Sequence, residues 1–185
     1  MQEKETMKIL KTITLILCLV SILGCSKDSS TSEETSFASL PGTWEVTSYS
    51  YEGTTAYRAI NTNESSNTSY VGDGWSLNFN FVFSEDSNDY IVSGDHNIDH
   101  YYIDEDGQEF YYVGNLERNE LGTFIRNGTT SITFNEDGEF KSGTIQELSE
   151  TTLKFNMSES SSETNSDNVL VSKVRIETYI LNRIN

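Results

Sequence analysis

Over residues 75–84 the chain alternates almost without a break, with Trp75, Leu77, Phe79, Phe81 and Phe83 on one side and Ser76, Asn78, Asn80 and Ser84 mostly on the other. A period of two sends successive side chains to opposite faces of an extended backbone, so the run predicts a half-buried β-strand. The same rhythm recurs over 43–51, 90–103, 109–116, 122–126, 129–134, 139–148, 152–158 and 169–181. In the last of these Leu170, Val174, Ile176 and Ile180 share a face, while Lys173, Arg175 and Glu177 point the other way. Read in this phase, the interior should hold Leu77, Phe79, Phe81, Phe83, Tyr90, Val92, Phe110, Tyr112, Phe155, Met157, Val174 and Ile176.

Clusters of turn-forming residues separate the runs: Glu85 to Asn88, Asp104 to Gly107, Asn127-Gly128 and Asn135 to Gly138. Such residues tolerate positive φ or cap their own backbone, and each cluster joins neighbours in sequence. The expected fold is therefore all-β, an antiparallel up-and-down meander of eight or nine strands with no convincing helix. An open sheet of that size exposes an edge, and closure into a barrel removes it. Two longer polar segments, 52–74 and 159–168, read as rim loops.

Ahead of the strands, Lys8 and Lys11 precede an apolar run at 13–23, which ends at Gly24 and Cys25. The run is too short to span a bilayer comfortably. Ile22-Leu23-Gly24-Cys25 resembles the processing site of a bacterial lipoprotein signal, which implies cleavage before Cys25 and acylation of its sulfur and new amino terminus. Met1 or Met7 serves as the start. Residues 1–24 are then the signal peptide, 25–36 the lipidated cysteine and a polar tether, and 37–185 the folded domain. Ser26 after the cysteine resembles the outer-membrane sorting pattern, and Lys27-Asp28 is similar to a surface-export tag of Bacteroidetes lipoproteins. The expected location is the cell envelope, lipid-anchored to the outer membrane.

The formal net charge of the chain is −17, and removal of residues 1–24 takes away three lysines and two glutamates, leaving about −18. Nucleic acid is excluded as a partner by that charge, and self-repulsion favours a soluble monomer above the membrane. Cys18 and Cys25 are the only cysteines, so the domain itself has neither disulfide nor thiol chemistry and rests on its core.

Leu40-Pro41-Gly42-Thr43-Trp44-Glu45-Val46 resembles the Gly-x-Trp opening of lipocalins, and 131–140 with 144–155 is similar to the late hairpins of lipocalin-like lipoproteins of flavobacteria. The resemblance runs from about residue 40 to 181. It implies a lipocalin-like barrel that binds a small molecule or lipid, with Trp44 as a structural residue at the closed end, covered by Arg175 or Arg183.

Asp95, His96, Asp99 and His100 combine ligand types that suit a transition metal. On a strand, however, His96 and His100 lie about 13 Å apart, too far for one ion, so no metal site is expected. The runs at 104–107 and 135–138 look like fragments of a calcium loop, but neither reaches the distal glutamate such a loop needs, and hairpin turns explain both. Tyr90, Tyr101, Tyr102, Tyr111 and Tyr112 gather in consecutive strands, as cross-strand pairs or as the lining of a site.

There is no nucleophile elbow, no catalytic cysteine, no phosphate loop and no metalloprotease helix, so neither enzyme nor cofactor is expected. Two functions stay open. One is a barrel with a small apolar cavity for a hydrophobic or amphipathic ligand, with Tyr90, His96, Tyr112 and Phe81 as the binding residues. The other is a protein- or glycan-interaction module with a filled barrel and functional rim loops.

Overall fold

The computed structural model describes residues 38–104 and 106–184; the expected signal, Cys25 and the tether lie outside them. Eight antiparallel strands form a closed barrel in sequence order: β1 (Gly42–Ala59), β2 (Ser65–Phe83), β3 (Asp89–Ile103), β4 (Glu109–Asn127), β5 (Ser131–Glu136), β6 (Glu139–Leu148), β7 (Thr152–Thr164) and β8 (Val169–Ile184). β8 returns to pair with β1. The count is eight because the runs at 109–116 and 122–126 are halves of one strand, β4.

The expected rim loops are mostly strand. Residues 52–74 form the outer arms of β1 and β2, joined by a tight turn in which Asn63 adopts φ 58 and the Ala59 amide donates to the Glu64 carbonyl at 2.9 Å. Residues 159–164 continue β7, and the turn beyond them is held by Asn165 Oδ1, which accepts from the Asp167 and Val169 amides at 3.0 Å each. Polar composition concealed the arms of β1 and β2 because their less exposed face is built largely of Gly, Ser, Thr and Tyr rather than aliphatic residues. The sequences at 104–107 and 135–138 are hairpin turns, with Asp104 Oδ1 accepting from the Asp106 and Gln108 amides and Asn135 Oδ1 from that of Gly138.

Two irregularities shift the alternation. Register slips between Glu45 and Ser50 in β1, so Trp44 and Val46 point inward before the slip and Tyr49 and Tyr51 after it. In β2 the slip falls between Trp75 and Asn78, where Ser76 takes φ 51. Phe79, Phe81 and Phe83 stay inside, but Trp75 is turned out and 48 % exposed. A bulge reverses the parity of everything beyond it, which period-two counting alone cannot register.

The buried core includes Phe79, Phe81, Phe83, Tyr90, Val92, Phe155 and Met157 as expected, with Leu77 packed against it. Phe110, Tyr112, Val174 and Ile176 are not part of it: Phe110 and Tyr112 are exposed where the wall is interrupted, Val174 faces out, 44 % exposed, and Ile176 is half-buried. The inward set of β8 is Val171, Arg175, Glu177, Tyr179 and Leu181, the opposite parity, because Tyr179 and Leu181 are needed in the core and carry the charged residues in with them.

Closure is complete at one end only. β5 meets β4 over Thr123–Asn127, and β6 meets β7 no further than Ser142 opposite Ser158. Beyond these points β4 and β7 continue with one neighbour each, β3 and β8, so the wall is interrupted there. At the closed end Trp44 is fully buried, its Nε1 donates to the Leu40 carbonyl at 2.8 Å, and the Arg183 guanidinium lies 4.2 Å from the ring centroid. Arg183, not Arg175, is thus the residue that covers the tryptophan. It also donates to the carbonyls of Pro41 at 2.6 Å and Glu150 at 2.9 Å, tying the first and last strands to the turn before β7.

Candidate functional site: a half-open trough

The closed half of the barrel is filled. Phe81, Phe155 and Tyr179 pack with centroids 5.0 to 5.6 Å apart, Phe83 lies 5.1 Å from Phe124, and Tyr90 lies 5.0 Å from Phe134. These rings occupy the place where a lumen would be.

Above this plug the missing wall leaves a trough. Its aromatic side runs across β1 to β4: Tyr51, Tyr70, His100 and Tyr112, with Tyr102 stacked on Phe110 at 4.6 Å. Glycines lay two of these rings flat. Tyr51 faces Gly72 in register and Tyr70 faces Gly53, and a Cβ on either glycine would collide with the ring above it. Lying along the sheet rather than into the lumen, the phenols pave the trough, with the Arg175 guanidinium 3.9 Å from the Tyr51 centroid and Tyr70 half-buried. The Tyr51 hydroxyl and His100 Nδ1 are hydrogen-bonded, and Tyr70 donates to the Val174 carbonyl at 3.3 Å.

The other side is charged. Arg175 pairs with Glu177 at 2.7 Å and donates to the Tyr49 hydroxyl at 2.9 Å. Tyr179 donates to Glu177 at 2.6 Å, and Arg118 donates to the Tyr179 hydroxyl at 3.0 Å while pairing with Glu120 at 2.7 Å. Burial would raise the Glu177 carboxyl, but Arg175, Arg118 and the two phenols hold it below the usual range. Burial also raises Tyr49 and Tyr179, and raises Tyr51 to about 12, so all three phenols stay protonated. A hollow of about 200 Å³ bordered by Tyr70, Glu159, Ser161, Lys173 and Arg175 lies along this side.

Four buried nitrogens here have no hydrogen-bond partner among the described residues: Nδ1 and Nε2 of His96 and the Nε atoms of Arg118 and Arg175. His96, fully buried between Tyr49 and Phe79, is held neutral; burial, then the Arg118 charge, pushes it down to about 4. Burial and Arg175 lower His100 as well.

The structure separates the four expected ligand residues. Phe81 and Tyr90 belong to the plug, His96 sits beneath the charged network, and only Tyr112, 52 % exposed, stands on the trough wall. Asp95 and Asp99 project outward, away from the histidines, bonded to Asn78 and Trp75. No group of three or more His, Cys, Asp or Glu able to hold a metal ion occurs among the described residues.

Local pattern does not mark Arg118 and Glu120, because 117–121 falls between two runs, and it places Arg175 and Glu177 outward, opposite the apolar residues of the last run. The available signal was in β8, where Arg175 and Glu177 keep parity with Tyr179 and Leu181. No family model, curated protein or solved structure matches the chain.

Proposed function

We propose that this is a non-enzymatic binding module of the cell envelope, lipid-anchored through Cys25, which holds a small amphipathic ligand in the half-open trough. One observation carries the reading: the Arg175 guanidinium, whose buried Nε has no hydrogen-bond partner among the described residues, borders a hollow with Tyr70 beside the tiled aromatic surface. Buried donors are nearly always satisfied, so a ligand that offers acceptors there gains the bonds the protein leaves unmade. Its apolar face would lie on Tyr70, His100 and Tyr112, and its polar group would turn toward Arg175.

The test is native mass spectrometry of the lipid-free protein from its own host, with His100 followed by NMR during titration with a fluorescent fatty acid. A retained species that disappears in Tyr112→Ala, together with a saturable His100 shift, is expected. If the protein carries nothing and His100 does not respond, the trough reading is wrong. A second reading, an interaction module with a filled barrel, is favoured by the solid packing of the closed half.

A further inference from the structure

The interrupted wall leaves a second feature, independent of any trough ligand: a long sheet edge. β4 pairs with β3 continuously from Glu109 opposite Ile103 to Thr123 opposite Asp89, with no bulge. Its other edge is used only from Thr123 onward. Along Glu109–Glu117 about half of the amides and carbonyls point away from β3, and no backbone hydrogen bond to another strand takes them up among the described residues.

Exposed edges are ordinarily blunted by proline, lysine, a bulge or an inward-pointing charge. This stretch, Glu-Phe-Tyr-Tyr-Val-Gly-Asn-Leu-Glu, has no proline, lysine or bulge, and the first inward charge is Arg118, just beyond it. Tyr111, Tyr112, Val113 and Leu116 are exposed along it. Facing it across the gap, β7 also lacks a second neighbour from Glu159 to Thr164. Where β6 diverges from β7 there is a hollow of about 660 Å³ whose lining includes Glu136, Asp137, Glu139, Lys141 and Glu159. Lys141 is bound to Glu136 at 3.3 Å, so the surplus there is negative.

We propose that the free edge of β4 over Glu109–Glu117 takes up an extended, basic polypeptide segment by strand addition. Backbone pairing supplies the affinity, and Glu109 and Glu117 on β4, Glu159 and Glu163 on β7 and Asp137 and Glu139 at the hollow select for positive charge. The net charge of −17 steers such a segment toward the protein. A second copy of the chain is the poorer occupant. In a two-fold pairing centred on Val113, Glu109 of each copy would face Glu117 of the other, and like charges directly opposite are destabilising.

The experiment is residue-resolved amide exchange on the full chain, with an acetylated and amidated peptide of about ten residues alternating lysine and threonine as the probe. In the free protein, alternate amides of Glu109–Glu117 should exchange fast, and the peptide should slow those same amides at least about tenfold. The same peptide with glutamate for lysine should not bind, and neither should the lysine peptide N-methylated throughout. The surface variants Glu109→Lys and Glu117→Lys, whose folding circular dichroism verifies, should weaken binding about tenfold together. Equal binding by the N-methylated peptide would reduce the effect to charge attraction and overturn strand addition. Unchanged exchange with the lysine peptide would overturn it too. So would alternate amides already protected in the free protein, whether concentration-dependent, as for a second copy, or not, as for the chain's own segment.

Discussion

Trp44 and His96 are both fully buried, yet they affect stability by opposite routes. Trp44 fills the closed end with its only polar atom satisfied, so Trp44→Ala should cost roughly 3 to 5 kcal/mol, read as a lower urea midpoint at constant slope. His96 is buried with both ring nitrogens unpartnered. Unfolded, it takes up a proton near pH 6.5; folded, only near pH 4, because burial and Arg118 oppose the charge. Between these values the unfolded chain binds more protons, so the contribution of the neutral ring is complete above pH 6.5 and is lost as pH falls toward 4. His96→Phe should therefore be at least as stable as the wild type at pH 7 and gain a growing advantage in urea midpoint as pH drops to 4.5. An advantage that stays constant with pH would show that His96 is not the titrating group.

At the scale of strands, the glycines opposite tyrosines decide how the trough is shaped. A methyl group at Gly72 would drive the Tyr51 ring off the sheet and away from His100, whereas at Gly114 a Cβ would meet only Ile98 and Tyr112 at 3.7 and 3.8 Å, an ordinary contact. Gly72→Ala is expected to lower the melting temperature by about 5 °C or more and to alter the near-ultraviolet tyrosine signal. Gly114→Ala, on the same face, should stay within about 0.5 kcal/mol of wild type. Equal effects would mean that the Tyr51 ring does not depend on Gly72. The bulge in β2 belongs to this scale as well: it turns Trp75 outward while Phe79, Phe81 and Phe83 stay inside.

At the scale of the molecule, Leu40 and Pro41, which lead into β1, are fixed at the closed end, where their carbonyls accept from Trp44 and Arg183. Cys25→Ala should leave an unprocessed or mislocalised protein that incorporates no labelled fatty acid, as measured by metabolic labelling of envelope fractions. Equal labelling of the variant and the wild type would refute the anchor and leave the fold untouched.

Alternation and turn chemistry determined the all-β meander, its antiparallel order and most of the aromatic core, because each depends on neighbours in the chain: a period of two and a local hairpin. The face presented by β8, the position of Trp75 and the joining of two runs into β4 were decided only by tertiary structure. Each depends on parity across a bulge or on packing with a distant strand. Most of the trough lies in that second category, and the tyrosine cluster around Tyr112 is the part of it that the sequence displays. Arg118, Arg175, Glu177, Tyr49 and Tyr179 come from three strands and stand 61 to 128 residues apart where they bond between strands, and charge turns inward there because each charged partner finds an opposite charge or a phenol to meet it.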